Sequence, residues 1–253
     1  MRLADVDRYF RELLRLAELD SIDDSLNGIQ VECSERELAT VAFAVDACMA
    51  SFERAAEARA ELLFVHHGLF WGRPLALTRG HHRRVKFLVE HDMALYAAHL
   101  PLDLHPELGN NAGMAAALGL EGIEPFGIYR GVKIGLKGRL PEPADLDGIL
   151  RLMGIDRQSC VALLPFGPQA IRTVGIVSGG ATHEVDQAIA EGLDLYITGE
   201  ASHTIYHTCL EERINLLCGG HYQTEVWGLR LLARRLARDT GLRTLFVDVP
   251  TGL

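Results

Sequence analysis

The sequence predicts an α/β fold built from two similar halves, and three observations support this prediction. Short apolar runs alternate with segments of helical periodicity, which is typical of βαβ units with parallel strands. A pattern of strand, small-residue turn, Ala-rich helix and strand begins at Thr40 and returns at Thr173, an offset of 133 residues. With 253 residues, 48% hydrophobic and 23% charged, the chain is long enough for both halves and has ordinary globular composition.

The elements of the first half follow from the periodicity of apolar residues and from turn signals. Apolar residues at helical spacing, among them Leu3, Val6 and Phe10, predict an amphipathic helix over 4–19, and Asn27-Gly28 is a turn signal. The remaining elements up to residue 118 are strands at 40–45, 62–65 and 94–97, and helices at 50–60, 83–91 and 110–118. Their alternation predicts parallel strands with helices packed on the sheet.

The domain organisation follows from the repeat. The first half is predicted over 1–125, a bridging region over 126–169 and the second half over 170–253. The bridge carries its own strands near 132–136 and 160–164, with a helix near 145–153. No long Gly/Ser linker separates the halves, so we expect mixed or parallel sheets that pack together.

A second internal match extends the repeat. The segment 90–103 can be laid over 212–225 at an offset of 122, which matches His99 and Asp103 with His221 and Glu225. Each segment has a short apolar strand, two small residues, and then a histidine followed four residues later by an acid. Residues four apart share one helical face or turn, so each pair can act together.

Charge, cysteines and termini exclude several classes of protein. A net charge of −9 argues against general nucleic-acid binding, and the short basic run 81–86 is best interpreted as the solvated start of a helix. Five scattered cysteines without a C-x-x-C pair indicate free thiols in a reducing compartment. No signal peptide or membrane-length apolar run is present, so we expect a cytoplasmic protein with no membrane partner.

Histidines follow three predicted strands at the points where the strands end. His66-His67 follows the strand at 62–65, and His99 and His221 come after two-residue small segments at the ends of their strands. Ligands in parallel α/β sheets bind beyond the carboxyl ends of strands. Imidazole and carboxylate without thiolate pairs suit Zn²⁺, Fe²⁺ or Mn²⁺. A histidine pair alone is more often a capping or half-exposed feature, but the three strand ends together favour a metal site.

The adjacent histidines suggest more than one ion. Neighbouring side chains in a strand point to opposite faces, so His66 and His67 are expected to serve different ions of a dinuclear centre if the backbone bends at Gly68. A carboxylate has two oxygens and can bridge such ions, a role open to Asp103 or Glu225.

Other residues keep two interpretations each. His203 and His207 either orient ligands or lie on an exposed helix face, and Ser178-Gly179-Gly180 either cradles a phosphate or forms a tight turn. Trp71 either lines a pocket for a planar ring or packs in the core. Cys218 is expected to be a small buried apolar residue.

The motifs as a set resemble one family. NGIQVE from Asn27, VHHG from Val65, HLPLD from His99 with HPELGNN from His105, TGE from Thr198 and GHYQTE from Gly220 span nearly the whole chain in order. They resemble the Nif-three-like dinuclear metal-centre family, whose members are often called type-2 GTP cyclohydrolase I. The resemblance implies two α/β halves, a toroidal homohexamer and a dimetal site formed by these five residues: His66, His67, Asp103, His221 and Glu225.

The resemblance leaves the reaction open. The first hypothesis is a metal-dependent hydrolase in which two divalent ions activate a water for attack on a purine-nucleotide ring carbon, a phosphoester or an amide. His99 or Glu200 is then expected to move protons. The alternatives are a non-catalytic metal carrier and a ring-shaped interaction scaffold. A ring around DNA is the weakest option because each chain carries −9.

Overall fold

The computed structural model describes residues 1–253. Its helices are α1 (Leu3–Leu14), α2 (Met49–Glu57), α3 (Arg79–Glu90), α4 (Leu100–Leu104), α5 (Asn110–Ala117), α6 (Leu146–Met153), α7 (Val185–Ala190), α8 (Ile205–Glu212) and α9 (His221–Thr240). Its strands are β1 (Gly28–Val31), β2 (Thr40–Asp46), β3 (Leu62–His67), β4 (Ala94–Ala97), β5 (Glu121–Tyr129), β6 (Val132–Ala144), β7 (Ala162–Pro165), β8 (Ile171–Ile176), β9 (Leu195–Thr198), β10 (Asn215–Cys218) and β11 (Arg243–Phe246). The fold is mixed α/β with two sheets, as predicted. None of the helices combines the length and the apolar character needed to span a membrane.

The chain divides into two compact units. Unit 1 comprises Met1–His105 and Leu229–Val249, and unit 2 comprises Pro106–Gly228 and Pro250–Leu253. The segment 126–169 therefore lies within unit 2, and the last part of α9 lies in unit 1. The predicted halves follow a repeated sequence pattern, whereas the two units are defined by compactness. The limits of the halves at 125 and 170 therefore stay a prediction.

The sheet of unit 1 has the strand order β1-β4-β3-β2-β11. The last four of these strands are parallel, and β1 is antiparallel to β4. Strands β2, β3 and β4 are almost wholly buried, which explains their unbroken apolar sequences. On one side α1 inserts Phe10, whose ring centroid lies 4.7 Å from that of Phe64 and 5.2 Å from that of Tyr96. This packing fixes the strands whose ends carry the histidines.

The sheet of unit 2 has the strand order β5-β6-β8-β9-β10-β7. Strands β8, β9 and β10 are parallel, and the others are antiparallel to their neighbours. Its core includes Met114, Ile149, Ile176, Ile197 and Leu217, all fully buried. Burial of such side chains contributes about 1.5–3 kcal/mol each, so this core holds the ends of β8, β9 and β10 in place.

The two sheets repeat one arrangement at the residue level. In each, three parallel strands stand in chain order, and the third is flanked by an antiparallel strand that precedes them in sequence. Glu61 Oε2 accepts hydrogen bonds from the backbone amides of Ala39 and Thr40. Asp194 Oδ2 accepts the corresponding bonds from Arg172 and Thr173. The offset of 133 seen in the sequence is therefore also an offset between equivalent hydrogen bonds.

Some boundaries differ from the sequence-based expectation. The helix predicted over 4–19 ends at Leu14 because Arg15 adopts a left-handed conformation with φ 51° and a separate 3-10 turn follows. Strand β6 extends well beyond 132–136 because it pairs with β5, a strand that the apolar pattern did not indicate. The short strands β1 and β11 also escaped prediction, since pairing to a neighbour defines them more than their composition does.

Candidate metal-binding site

The paired histidines lie at the carboxyl end of β3, as predicted. His66 is fully buried, and its Nδ1 lies 3.0 Å from the carbonyl oxygen of Ala98. His67 is partly exposed, and its Nδ1 lies 2.9 Å from Asp46 Oδ1 at the end of β2. The two ring centroids are 4.7 Å apart, so both imidazoles reach the same edge of the sheet. The chain bends just beyond them, where the amide of Leu69 donates to Gln30 Oε1.

A third imidazole and a buried carboxylate join this pair within unit 1. His99 follows β4, and its ring centroid lies 5.0 Å from that of His66 and 5.7 Å from that of His67. The three imidazoles each offer a ligand atom, and these atoms lie within 4.8 Å of one another. Asp103 is 7% exposed, and its Oδ2 lies 3.5 Å from His66 Nε2. Unit 1 therefore brings together four of the residues that the sequence analysis singled out.

The hydrogen bonds at Nδ1 prepare these rings for a cation. Nδ1 of His66, His67 and His99 each lies within 3.0 Å of an oxygen atom, from Ala98, Asp46 and Asp23 respectively. An oxygen acceptor at Nδ1 requires the hydrogen there, which leaves the lone pair of a neutral imidazole on Nε2. Metal-binding histidines generally show this pattern, with the other ring nitrogen held by a carboxylate or carbonyl. The donor set of unit 1 therefore fits a divalent cation.

Unit 2 contains a second cluster of side chains of the types that bind metal ions. His221 is the first residue of α9 and directly follows Gly219-Gly220 at the end of β10. Its Nδ1 lies 2.6 Å from Glu200 Oε1, and its Nε2 lies 3.1 Å from Glu225 Oε1. Glu225 is 2% exposed, whereas Glu200 is an exposed residue at the end of β9. The pairing of His221 and Glu225 confirms that residues four apart face each other here.

The turn after β8 is shaped around this second group. A Cβ atom on Gly179 would lie 2.3 Å from Glu225 Oε1, and the residue has φ +68°. The amide of Ser178 donates to Asn111 Oδ1 and that of Gly179 to Thr224 Oγ1. Because side chains already accept from the amides of Ser178 and Gly179, these two amides do not cradle a phosphate, which favours the turn interpretation of this segment.

The remaining candidates behave as ordinary side chains. His207 lies on the exposed face of α8, as the helix-face interpretation expects, whereas His203 is exposed in the turn before this helix. Cys218 is fully buried, and burial raises the pKa of its thiol to about 12, so it is an apolar core residue as expected. Trp71 is 36% exposed and lies against His99, with ring centroids 5.0 Å apart, so it does not pack in the core.

Sequence reasoning missed two carboxylates that hold the imidazoles. Asp46 had a usable signal, because it directly follows the strand predicted over 40–45 and lies at the same sheet edge as His67. Asp23 had none, because it lies in the irregular segment before β1 and reaches His99 only through the tertiary fold.

The family model of Duf34/NIF3 (NGG1p interacting factor 3) matches residues 1–251. The chain belongs to the DUF34/NIF3 family. This membership confirms the resemblance that the sequence motifs predicted.

Individual DUF34/NIF3 relatives match along their whole length. A protein of Treponema pallidum called GTP cyclohydrolase 1 type 2 homolog is 46% identical, with 100% of both chains covered. The crystal structure of TTHA1606 from Thermus thermophilus is similar with a TM-score of 0.89 and 38% identity over all of both chains. Protein ybgI, described as of unknown function, gives a TM-score of 0.91 and 31% identity over all of both chains.

Proposed function

We propose that this DUF34/NIF3 protein binds two divalent metal ions per chain, Fe, Zn or Mn, and acts as a metal-dependent hydrolase. The observation that carries the proposal is the common state of four histidines. His66, His67, His99 and His221 all have Nδ1 within 3.0 Å of an oxygen acceptor, an arrangement that orients each ring with Nε2 as its metal-ligating atom. Oxygen and nitrogen donors without thiolates suit these three metals.

The proposed ligands are the five residues that the family resemblance implies: His66, His67, Asp103, His221 and Glu225. His66 and His67 are assigned to different ions, and the bridging role belongs to Asp103 or Glu225, buried carboxylates that each contact the imidazole of a proposed ligand. When bound, the cations would supply Lewis acidity and a source of hydroxide near neutral pH.

The chain also offers groups that move protons. His99 is partly exposed beside His66 and His67, and its Nε2 is unprotonated in the neutral ring, so it is the stronger candidate for a proton acceptor. Glu200 accepts a hydrogen bond from His221 Nδ1, which makes orientation of His221 its first role and proton transfer a second one. The names of the relatives motivate GTP as one substrate to examine.

A metal-delivery protein is the second candidate. The side chains of His67 and His221 are 20% and 29% exposed, and partly exposed ligands allow bound metal to exchange. A carrier needs exchangeable metal and no substrate beside it, whereas an enzyme needs an open coordination position. The homohexameric ring implied by the resemblance stays a prediction, which light scattering of the purified protein would test.

The test begins with metal analysis of protein purified without chelator. We expect close to two ions per chain for wild type and for His82→Ala, a control on the exposed face of α3, and fewer for His66→Ala. A value near zero for wild type would contradict metal binding altogether. Removing a bridging carboxylate should lower occupancy of both sites, so equal losses for every ligand variant would contradict the proposed division of roles.

The second stage separates enzyme from carrier. The protein loaded with its own metal is incubated with GTP, phosphomonoesters and small amides, and product formation is measured against His66→Ala. Turnover that depends on His66 supports the hydrolase. Metal that transfers to a chelating acceptor while no substrate is turned over supports the carrier.

A further inference from the structure

The carboxylate of Asp23 is saturated with hydrogen bonds. Its Oδ1 lies 3.0 Å from the amide nitrogen of Ser25 and 2.9 Å from His99 Nδ1. Its Oδ2 lies 2.9 Å from Asn27 Nδ2 and 3.0 Å from the amide nitrogen of Leu100. The side chain is 1% exposed, so these four contacts meet the full acceptor capacity of a buried carboxylate.

The donors around Asp23 determine where the hydrogen atoms lie in its hydrogen bonds. The groups of Ser25 and Leu100 are backbone N–H donors. The amide of Asn27 is oriented as well, because its Oδ1 accepts a hydrogen bond of 2.9 Å from the backbone amide of His99. Asp23 Oδ1 already accepts a hydrogen bond from the amide of Ser25, so it can act only as an acceptor towards His99 Nδ1 as well. His99 must therefore donate from Nδ1.

Electrostatics agree with an ionised Asp23. Burial by itself raises the pKa of this carboxyl group. Interactions with His99, together with the hydrogen bonds from Asn27 and Ser25, lower it by more, so the pKa lies below its usual value.

We infer that Asp23 is a positioning residue that fixes the tautomer of His99. The ring then carries its hydrogen on Nδ1 and its lone pair on Nε2, next to the imidazoles of His66 and His67. This inference deepens the proposed hydrolase and rests on it for its catalytic consequence. In that reaction, written for a phosphoester, the attacking water gives its proton to His99 Nε2 and its oxygen forms the new bond to phosphorus. The bond from phosphorus to the leaving oxygen breaks, and the leaving group departs with that electron pair. Asp23 holds the ring ready without touching the substrate.

Replacing Asp23 by asparagine should reverse the tautomer. The amide oxygen of Asn at this position is favoured at the Oδ2 site, where Asn27 and Leu100 both donate. Its NH₂ group then occupies the Oδ1 site and donates to His99 Nδ1, which forces the hydrogen onto Nε2. The opposite orientation would leave two donor–donor conflicts instead of the single one with Ser25. The proton-accepting nitrogen is lost while the shape of the side chain is kept.

The experiment is NMR of zinc-loaded protein with ¹⁵N-labelled histidine, since zinc is diamagnetic. The His99 resonances are assigned by their loss in His99→Gln. Wild type should show His99 protonated at Nδ1, Asp23→Asn should show it protonated at Nε2, and Asp194→Asn should match wild type. Asp194 is a suitable control because it also accepts backbone amide bonds but contacts no histidine in the structure. Zinc content should be equal in all three proteins.

Each outcome has a defined meaning. Wild-type His99 protonated at Nε2, or an unchanged tautomer in a folded Asp23→Asn variant, would overturn the inference. Turnover of p-nitrophenyl phosphate or GTP should fall about 100-fold in Asp23→Asn, with kcat affected more than KM. If wild type turns over neither compound but the tautomer reverses as expected, the assignment of Asp23 stands and the hydrolase proposal loses its support. If Asp23→Asn does not fold, the wild-type spectrum alone decides the inference.

Discussion

The ends of β3 and β4 in unit 1 and the ends of β9 and β10 in unit 2 share one backbone hydrogen-bond pattern but present different side chains. The amide of Ala98 donates to the carbonyl of Val65, and the amide of Gly219 donates to that of Thr198. These bonds make His66 equivalent to Gly199. In unit 1 that position carries an imidazole, whereas in unit 2 it carries no side chain at all.

The local packing explains this difference. A Cβ on Gly199 would lie 2.7 Å from the carbonyl oxygen of Gly179 and 2.7 Å from His221 Cα. The candidate ligand residues of unit 2 therefore lie in the first turns of α9, whose first residue, His221, lies against Gly199. The duplicated strand ends thus keep their hydrogen bonds, while the candidate ligands of unit 2 lie on the following helix.

The same bonds correct one detail of the sequence alignment. Ala98 and Gly219 are equivalent at an offset of 121, so the residue of unit 2 that corresponds to His99 is Gly220 rather than His221. Gly220 has φ +103°, which is favourable for glycine, and it inserts one residue before the helix. The two His-x-x-x-acid pairs consequently differ: His221 contacts Glu225, while His99 contacts Asp23 and Asp103 contacts His66.

The largest effect is expected from removing one ligand in each region. Metal that binds only the folded protein stabilises it by about 2.7 kcal/mol when free metal is a hundredfold above Kd. If both regions serve one dinuclear centre, as the sequence predicts, His67→Ala and His221→Ala should reduce the metal-dependent rise in melting temperature equally. Thermal melts with and without metal measure this rise, and the exposed His207→Ala is the control. A full wild-type shift in His221→Ala would restrict binding to unit 1.

The next effect concerns the position where the two regions differ most. Gly199→Ala should destabilise the protein by about 2 kcal/mol, because the added methyl group meets backbone atoms that cannot move away cheaply. Gly180→Ala is the matched control, since its Cβ would meet only the exposed end of Glu200 at 3.2 Å. Urea denaturation of both variants measures the difference. Equal stability of the two would mean that packing does not exclude a side chain from this strand end.

A smaller effect is expected at the carboxylates that hold the imidazoles. Asp46→Asn should weaken metal affinity about tenfold, because a neutral amide is a weaker acceptor than the carboxylate that orients the His67 ring. Glu200→Gln should weaken it less, since the Glu200 side chain is 54% exposed against 36% for Asp46 and water replaces its bond to His221 more readily. Competition with a fluorescent chelator measures both affinities. The reverse order would show that exposure does not govern these contacts.

The smallest effect tests the repeat itself. Glu61→Gln and Asp194→Asn each weaken two equivalent bonds to backbone amides and should cost a similar amount, about 1 kcal/mol each. Glu53→Gln on the exposed face of α2 is the control. Chemical denaturation gives the three free energies of unfolding. Clearly unequal losses of unfolding free energy would mean that Glu61 and Asp194 support their sheets differently.

The sequence by itself determined the α/β class, the repeat and the strand ends that carry His66, His67 and His221. It did so because buried parallel strands require continuous apolar runs, and because His66, His67 and His221 lie at the ends of those runs or a few residues beyond them. These are local properties, and a pattern of neighbouring residues is enough to express them.

Only the tertiary structure decided which oxygen holds each imidazole and which acid each histidine meets. Asp23 reaches His99 across 76 positions of sequence, and Asp46 reaches His67 across 21, through pairing of strands and loops that no local pattern encodes. The exclusion of a side chain at Gly199 likewise depends on atoms of Gly179 and His221 that folding brings within 2.7 Å. Hydrogen bonds and steric contacts act over a few ångströms in space, so residues distant in the chain settled the state of the site.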